Sequence, residues 1–152
     1  MYQTLIFYHS IMRWLVLISL LIAIYAAWRG ARTKAVFTKR DNLIRHWTAT
    51  IAHIQLVVGI LLYSKSPVTK YFWTNRAEAI HNKDVTFFSL VHLVLMLTAI
   101  VVITTGSALA KRKQTDHSKF STMLGWYIIA LLIILVAIPW PFSPFAHRPY
   151  WR

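Results

Sequence analysis

The sequence predicts an all-α fold, an integral membrane four-helix bundle with both termini on the outer side (N-out/C-out). Three observations carry that expectation. The chain has 152 residues, is 57% hydrophobic and only 14% charged, with a mean hydropathy of +0.51. A soluble domain needs about a quarter of its residues charged to wet its surface. The apolar residues are gathered in four long blocks. The basic residues, 17 Lys+Arg against 4 Asp+Glu for a net charge of +13, sit between those blocks. A nucleic-acid binder would spread its basic residues over a soluble core; this distribution belongs to a membrane and excludes nucleic acid as a partner.

The blocks run over residues 5–28, 47–63, 86–109 and 120–141, and each is set against the ~20 helical residues that cross a hydrocarbon core. Helices are expected because backbone groups in lipid must be satisfied within their own segment. The first block lacks a basic leader and a small-residue cleavage pattern and runs into Arg29 and Arg32, so it reads as a retained helix. The second block is the shortest and is interrupted by His53 and Gln55. Between the second and third blocks, Trp73, Ala77 and Ile80 recur at helical spacing. They read either as a short helix on the outer membrane surface or as an irregular loop with interfacial aromatics. Pro139 and Pro141 end the fourth helix, because proline removes a donor and the residue before it resists helical geometry. Trp140 and the aromatics after it suit the interface. The remainder is two tails and three short loops, leaving one membrane domain over 1–152 with no room for a second.

Orientation follows from the basic residues. Arg29, Arg32, Lys34, Lys39, Arg40 and Arg45 follow the first helix, and Lys111, Arg112, Lys113 and Lys119 follow the third. Lys65, Lys70, Arg76, Lys83, Arg148 and Arg152 lie on the other side, so the count is ten against six. The richer side is expected in the cytoplasm. The chain has no cysteine, which excludes disulfides, Cys-ligated iron–sulfur clusters, covalently attached c-type haem and thiol catalysis.

The residues that a bilayer penalises carry the functional signal. They are His9 and Arg13 in the first helix, His53 in the second and His92 in the third. His46, His81, His117 and His147 read as solvated. His9 lies nineteen residues from Trp28 and His92 nineteen from Lys111, so both are expected roughly 28 Å above the cytoplasmic ends at 1.5 Å per residue. His53 is expected deeper, about 10 Å up from His46 or about 15 Å down from Tyr63. Two imidazoles at one depth on different helices match the axial ligation of a b-type haem. Arg13, one turn from His9, would pair with a propionate. Ala99 and Gly59 are small enough to admit a flat macrocycle or a close helix contact. One haem is the most these histidines allow.

Other readings stay open on the residues alone. An intramembrane histidine can be an interhelical hydrogen-bond partner worth about a kilocalorie. Three imidazoles can instead bind copper, zinc or non-haem iron, although the depth of His53 fits poorly with ligand nitrogens about 2 Å from one ion. A proton or ion path is the remaining option. Met96 can be a soft ligand or apolar filler. Trp14, Trp47, Trp126 and Tyr127 read as aromatic anchors. Gln55, two residues from His53, points to another face, so a joint site there is only weakly indicated.

In combination, Tyr8-His9-Ser10 with Arg13-Trp14, Ala52-His53-Ile54-Gln55 with Gly59, Val91-His92 with Met96 and Ala99, and Ile138-Pro139-Trp140 resemble a family of short bacterial four-helix membrane proteins labelled cytochrome b or cytochrome b-like. The resemblance spans nearly the whole chain. It implies a haem-b-binding bundle in the bacterial inner (cytoplasmic) membrane, with His9, His53 and His92 as candidate ligands. The expected activity is electron transfer near the outer face, with quinone as a possible second cofactor and a larger membrane complex as partner. His9 and His92 are the first choice as axial ligands of the haem iron. His53 is the alternative ligand, or a deeper proton or quinone contact. A cofactor-free accessory subunit, whose polar residues only hold helices together, is the competing expectation.

Overall fold

The computed structural model describes residues 1–140. Of these, 88% are helical and none is in a strand. The spanning helices are α1 (Tyr2–Thr33), α2 (Lys39–Lys65), α5 (Lys83–Arg112) and α6 (Asp116–Ala137), and all four are long and apolar enough to cross a membrane. Two short helices, α3 (Pro67–Thr74) and α4 (Arg76–Ala79), fill the connection between α2 and α5.

Local chemistry sets these boundaries, and it moves each from its expected place. The expected second helix began at Trp47, but α2 begins eight residues earlier, at Lys39. The hydroxyl of Thr38 accepts the backbone N–H of Asp41, whose carboxylate in turn accepts the N–H of Thr38. This reciprocal capping box satisfies two donors that a helix start leaves open. The 27-residue α2 is therefore as able to span as its neighbours. Ser66, Asn82 and Thr115 cap α3, α5 and α6 in the simpler one-bond form. α1 ends at Lys34, whose left-handed conformation (φ 52°) turns its N–H back to the carbonyl of Gly30. The fourth helix stops at Ala137 rather than at residue 141, and Pro141 lies outside the described residues.

The connection after α2 is helical, but not as one surface helix. Asn75 breaks it, leaving Trp73 in α3, Ala77 in α4 and Ile80 just past α4. Those three side chains are exposed; the buried ones are Thr69, Phe72 and Ala79.

α1 packs against α2 and α6, and α5 packs against α6 and α2, so α1 and α5 face each other across the bundle axis. Small residues let the backbones approach: Ala23, Ala27 and Gly30 on α1, Ala49 and Ala52 on α2, Ala99, Gly106 and Ala110 on α5, and Ala130 on α6. Larger side chains fill the half of the bundle that ends in the basic loops, where Leu20, Ile103, Phe120, Met123 and Tyr127 are fully enclosed. Tyr127, expected as an interfacial anchor, is thus a core residue, and its hydroxyl donates to the Arg45 carbonyl at 3.0 Å. The other half of the bundle is hollow.

Candidate functional site

That hollow is a cavity of about 230 Å³, apolar over most of its wall, with His9, Arg13, Gln55 and His92 supplying its main polar groups. α1 and α5 bring His9 and His92 together across the axis, with ring centres 6.2 Å apart and planes inclined at 69°. The two residues expected at one depth are therefore at one depth, and on facing helices.

The chain end of α6 orients His92. Its Nδ1 lies 2.8 Å from the carbonyl oxygen of Ala137. In an uninterrupted helix that oxygen would accept from the residue four positions on, but here that residue is Pro141, which has no N–H. Likewise the Leu135 carbonyl, facing Pro139 in sequence, takes the indole N–H of Trp140 at 2.8 Å. The paired prolines thus leave two carbonyls open, and His92 uses one. A carbonyl at 2.8 Å calls for Nδ1 as donor, which leaves Nε2 with its lone pair, the tautomer that binds a metal. α5 contributes a wide π-helical turn over Phe87–Val91 immediately before His92. Such turns are often found at functional sites. The Ser89 carbonyl of this turn accepts the Tyr63 hydroxyl at 2.9 Å, and that hydroxyl accepts the Trp73 indole N–H at 2.8 Å. A chain of hydrogen bonds thereby ties α3 and α2 to the turn beside His92.

His9 is held from α2. Gln55 donates its amide N–H to the His9 carbonyl at 3.0 Å, and Gly59, one turn further on, lies against the His9 ring. A methyl group at Gly59 would stand 3.3 Å from His9 Cε1. His9 Nδ1 and Gln55 Oε1 are buried without a hydrogen-bond partner among the described residues, a costly state for a polar atom. Arg13 lines the same cavity, with its guanidinium 5.4 Å from the centre of the Trp14 ring. Met96 and Ala99 also contribute to the wall.

His53 is not part of this cavity. It is exposed on the outside of α2, with Nδ1 2.7 Å from the carbonyl of its own helix at Ala49 and Nε2 3.1 Å from the Thr104 hydroxyl of α5. Both nitrogens are engaged within the bundle, so the expected alternative ligand is displaced from the other two histidines. No group of three His, Cys, Asp or Glu side chains able to hold a metal ion is found among the described residues. His46, His81 and His117 are exposed, as expected, and His147 lies outside the described residues.

Sequence reasoning missed two polar residues. Gln55 does not share a face with His53 but with Gly59, at a spacing of four, and both meet His9. Arg45, expected among the loop cations, is buried inside the bundle with 5% of its surface exposed.

The donor set fits a haem iron in two respects. His9 and His92 supply two imidazoles from facing helices, their ring centres 6.2 Å apart, and these would be the residues to hold the iron. The second-atom hydrogen bond that fixes a ligating imidazole is present for His92. The chain matches no protein-family model, no curated protein and no solved structure.

Proposed function

We propose that the protein binds one haem b between α1 and α5 and transfers electrons near the end of the bundle that carries its N-terminus. The observation behind this reading is the meeting of His9 and His92 across an apolar cavity, 6.2 Å apart. Haem iron supplies a one-electron redox centre when bound. The chain's own residues do the rest. His92 presents Nε2 because Ala137 holds Nδ1, His9 approaches from the opposite helix, and Arg13 offers a cation for a propionate. Apolar neighbours such as Leu93, Ile100 and Ile134 keep water from the iron side of the cavity. With so little chain outside the spanning helices, the electron donor and acceptor come from a membrane quinone or from a larger respiratory assembly. In this reading the N-terminal end faces outward from a bacterial inner membrane.

The competing reading is a cofactor-free accessory subunit. The bonds from His92 to Ala137, from Gln55 to His9 and from Thr104 to His53 favour it, because each joins two helices without a guest. One measurement separates the two. The purified protein should show a Soret band that sharpens and shifts on reduction, with α and β bands. His9→Ala and His92→Ala should each lose that spectrum while retaining helicity, and His53→Ala should keep it. A colourless wild-type protein after expression with haem supplied, or unchanged spectra in both cavity variants, would overturn the haem proposal.

A further inference from the structure

At the end of the bundle away from the cavity, a second hollow of about 250 Å³ opens between the α1–α2 loop, the start of α2, the end of α5 and the first turns of α6. Phe37 lies in its wall, its ring 4.9 Å from that of Phe120 and 5.6 Å from Lys119 Nζ. The rim carries Lys39, Lys111 and Lys119 with Thr38 and Asn42. The start of α2 thus brings Lys39 beside Lys111 and Lys119, which lie more than seventy residues further along the chain, so that three cations surround one space.

Accounting for the polar groups shows what the hollow can hold. The Thr38 hydroxyl donates to Asp41 Oδ2 at 2.6 Å and is committed to the capping box. Asn42 Oδ1 accepts from Arg45 Nε and Nη2 at 3.2 and 2.9 Å, which leaves its amide N–H groups to offer. Lys119 shares its charge with Asp116 at 3.5 Å, the one ion pair among the described residues. Lys39 and Lys111 therefore have no carboxylate within ion-pairing distance among those residues. Every uncommitted side-chain group on the rim is a donor, and most are charged. Such a set suits a phosphate oxygen.

The level in the membrane selects the source of that phosphate. Trp28 and Trp47, 46% and 55% exposed, mark an aromatic belt near this end. Lys39 starts its helix two turns beyond Trp47, at about 12 Å by helical rise, where lipid headgroups lie. Basic pockets between helix ends at that depth suit anionic headgroups. We propose that this hollow seats the phosphate of an anionic phospholipid, bound without covalent chemistry and independently of any cofactor in the cavity.

The test uses the purified full chain in neutral detergent, with thermal unfolding followed by circular dichroism. Phosphatidylglycerol should raise the midpoint by about 5 °C at saturation. Phosphatidylcholine and inorganic phosphate at the same concentration should not. The variant combining Lys39→Gln, Lys111→Gln and Lys119→Gln should lose the increment. The variant combining Arg29→Gln, Arg32→Gln and Lys113→Gln removes the same charge from the same end and should keep it. If the first triple variant does not fold, Lys111→Glu alone, at the exposed end of α5, should at least halve the increment. Equal loss in both triple variants would reduce the effect to diffuse attraction, and an equal response to inorganic phosphate would make the site one for the free ion. Either result, or no response to phosphatidylglycerol, overturns the proposal.

Discussion

At the scale of single residues, Arg45 shows how a spanning bundle tolerates a charge it should reject. A guanidinium inside a helix bundle is costly unless its N–H groups are taken up. Here Nη1 donates to both the carbonyl and the hydroxyl of Ser107 on α5, while Nε and Nη2 donate to Asn42 one turn back on α2. The Arg45 carbonyl accepts the Tyr127 hydroxyl of α6, so one residue joins three helices. Replacing it by Met would leave Asn42 Oδ1 and the Ser107 oxygens without their donor. That should cost roughly 1–3 kcal/mol. Arg45→Lys should recover only part of this, because an ammonium cannot serve two partners in the fixed fork of a guanidinium. Denaturant unfolding in detergent would measure both, and a variant as stable as the parent would show that the network carries no net stability. Arg45 was illegible in the sequence for a definite reason. Hydropathy places the start of α2 at Trp47, while the capping pair Thr38 and Asp41 places it at Lys39. His9 and His92 were legible because depth can be counted from helix ends. His53 meets Thr104, twelve residues along α5 from His92, so its depth, which can be counted, and its exposed side of α2, which cannot, both separate it from the other two.

At the scale of helix pairs, the glycines sort into contact and vacancy. A methyl group at Gly106 would stand 2.3 Å from Trp126 Cβ, an atom next to the backbone that cannot swing aside. At Gly30 the clash is with the far edge of the Phe120 ring, at 2.4 Å, which a side-chain rotation can relieve in part. At Gly125 an added methyl would meet nothing within 4 Å. Gly106→Ala should therefore force α5 and α6 apart and cost about 1–3 kcal/mol, as overpacking does. Gly125→Ala should be neutral or slightly stabilising, because alanine is the better helix former. The same unfolding assay compares them, and equal stability of the two variants would show that α5 and α6 part at Gly106 without cost. The four spanning helices were legible from apolar length alone. Their ends were not: α2, α5 and α6 each begin at one hydroxyl or amide cap that hydropathy averages away. The π-helical turn before His92 has no signature in the run Phe87-Phe88-Ser89-Leu90-Val91. Within the turn the Ser89 carbonyl accepts the Tyr63 hydroxyl.

At the scale of the whole molecule, the bundle is polar along its axis in two senses. Its packed half ends in basic loops, and its hollow half carries the histidines, Arg13 and the covering helix α3. With Arg45 drawn into the interior, nine of the ten basic residues first assigned to that end stand in or next to its loops. Lys65, Lys70, Arg76 and Lys83 stand at the other end among the described residues, with Arg13 inside the cavity there. The asymmetry survives the correction, so the packed end is expected in the cytoplasm and the cavity end outside. The absence of cysteine makes this directly testable, since any thiol introduced is the sole target for a maleimide. Lys70→Cys lies exposed on α3, and Gln114→Cys lies exposed between α5 and α6. In intact cells with the outer barrier made permeable, a membrane-impermeant maleimide should label position 70 and spare position 114. Position 114 should react only once the inner membrane is opened. The reverse pattern would invert the bundle and place the His9–His92 cavity on the cytoplasmic side.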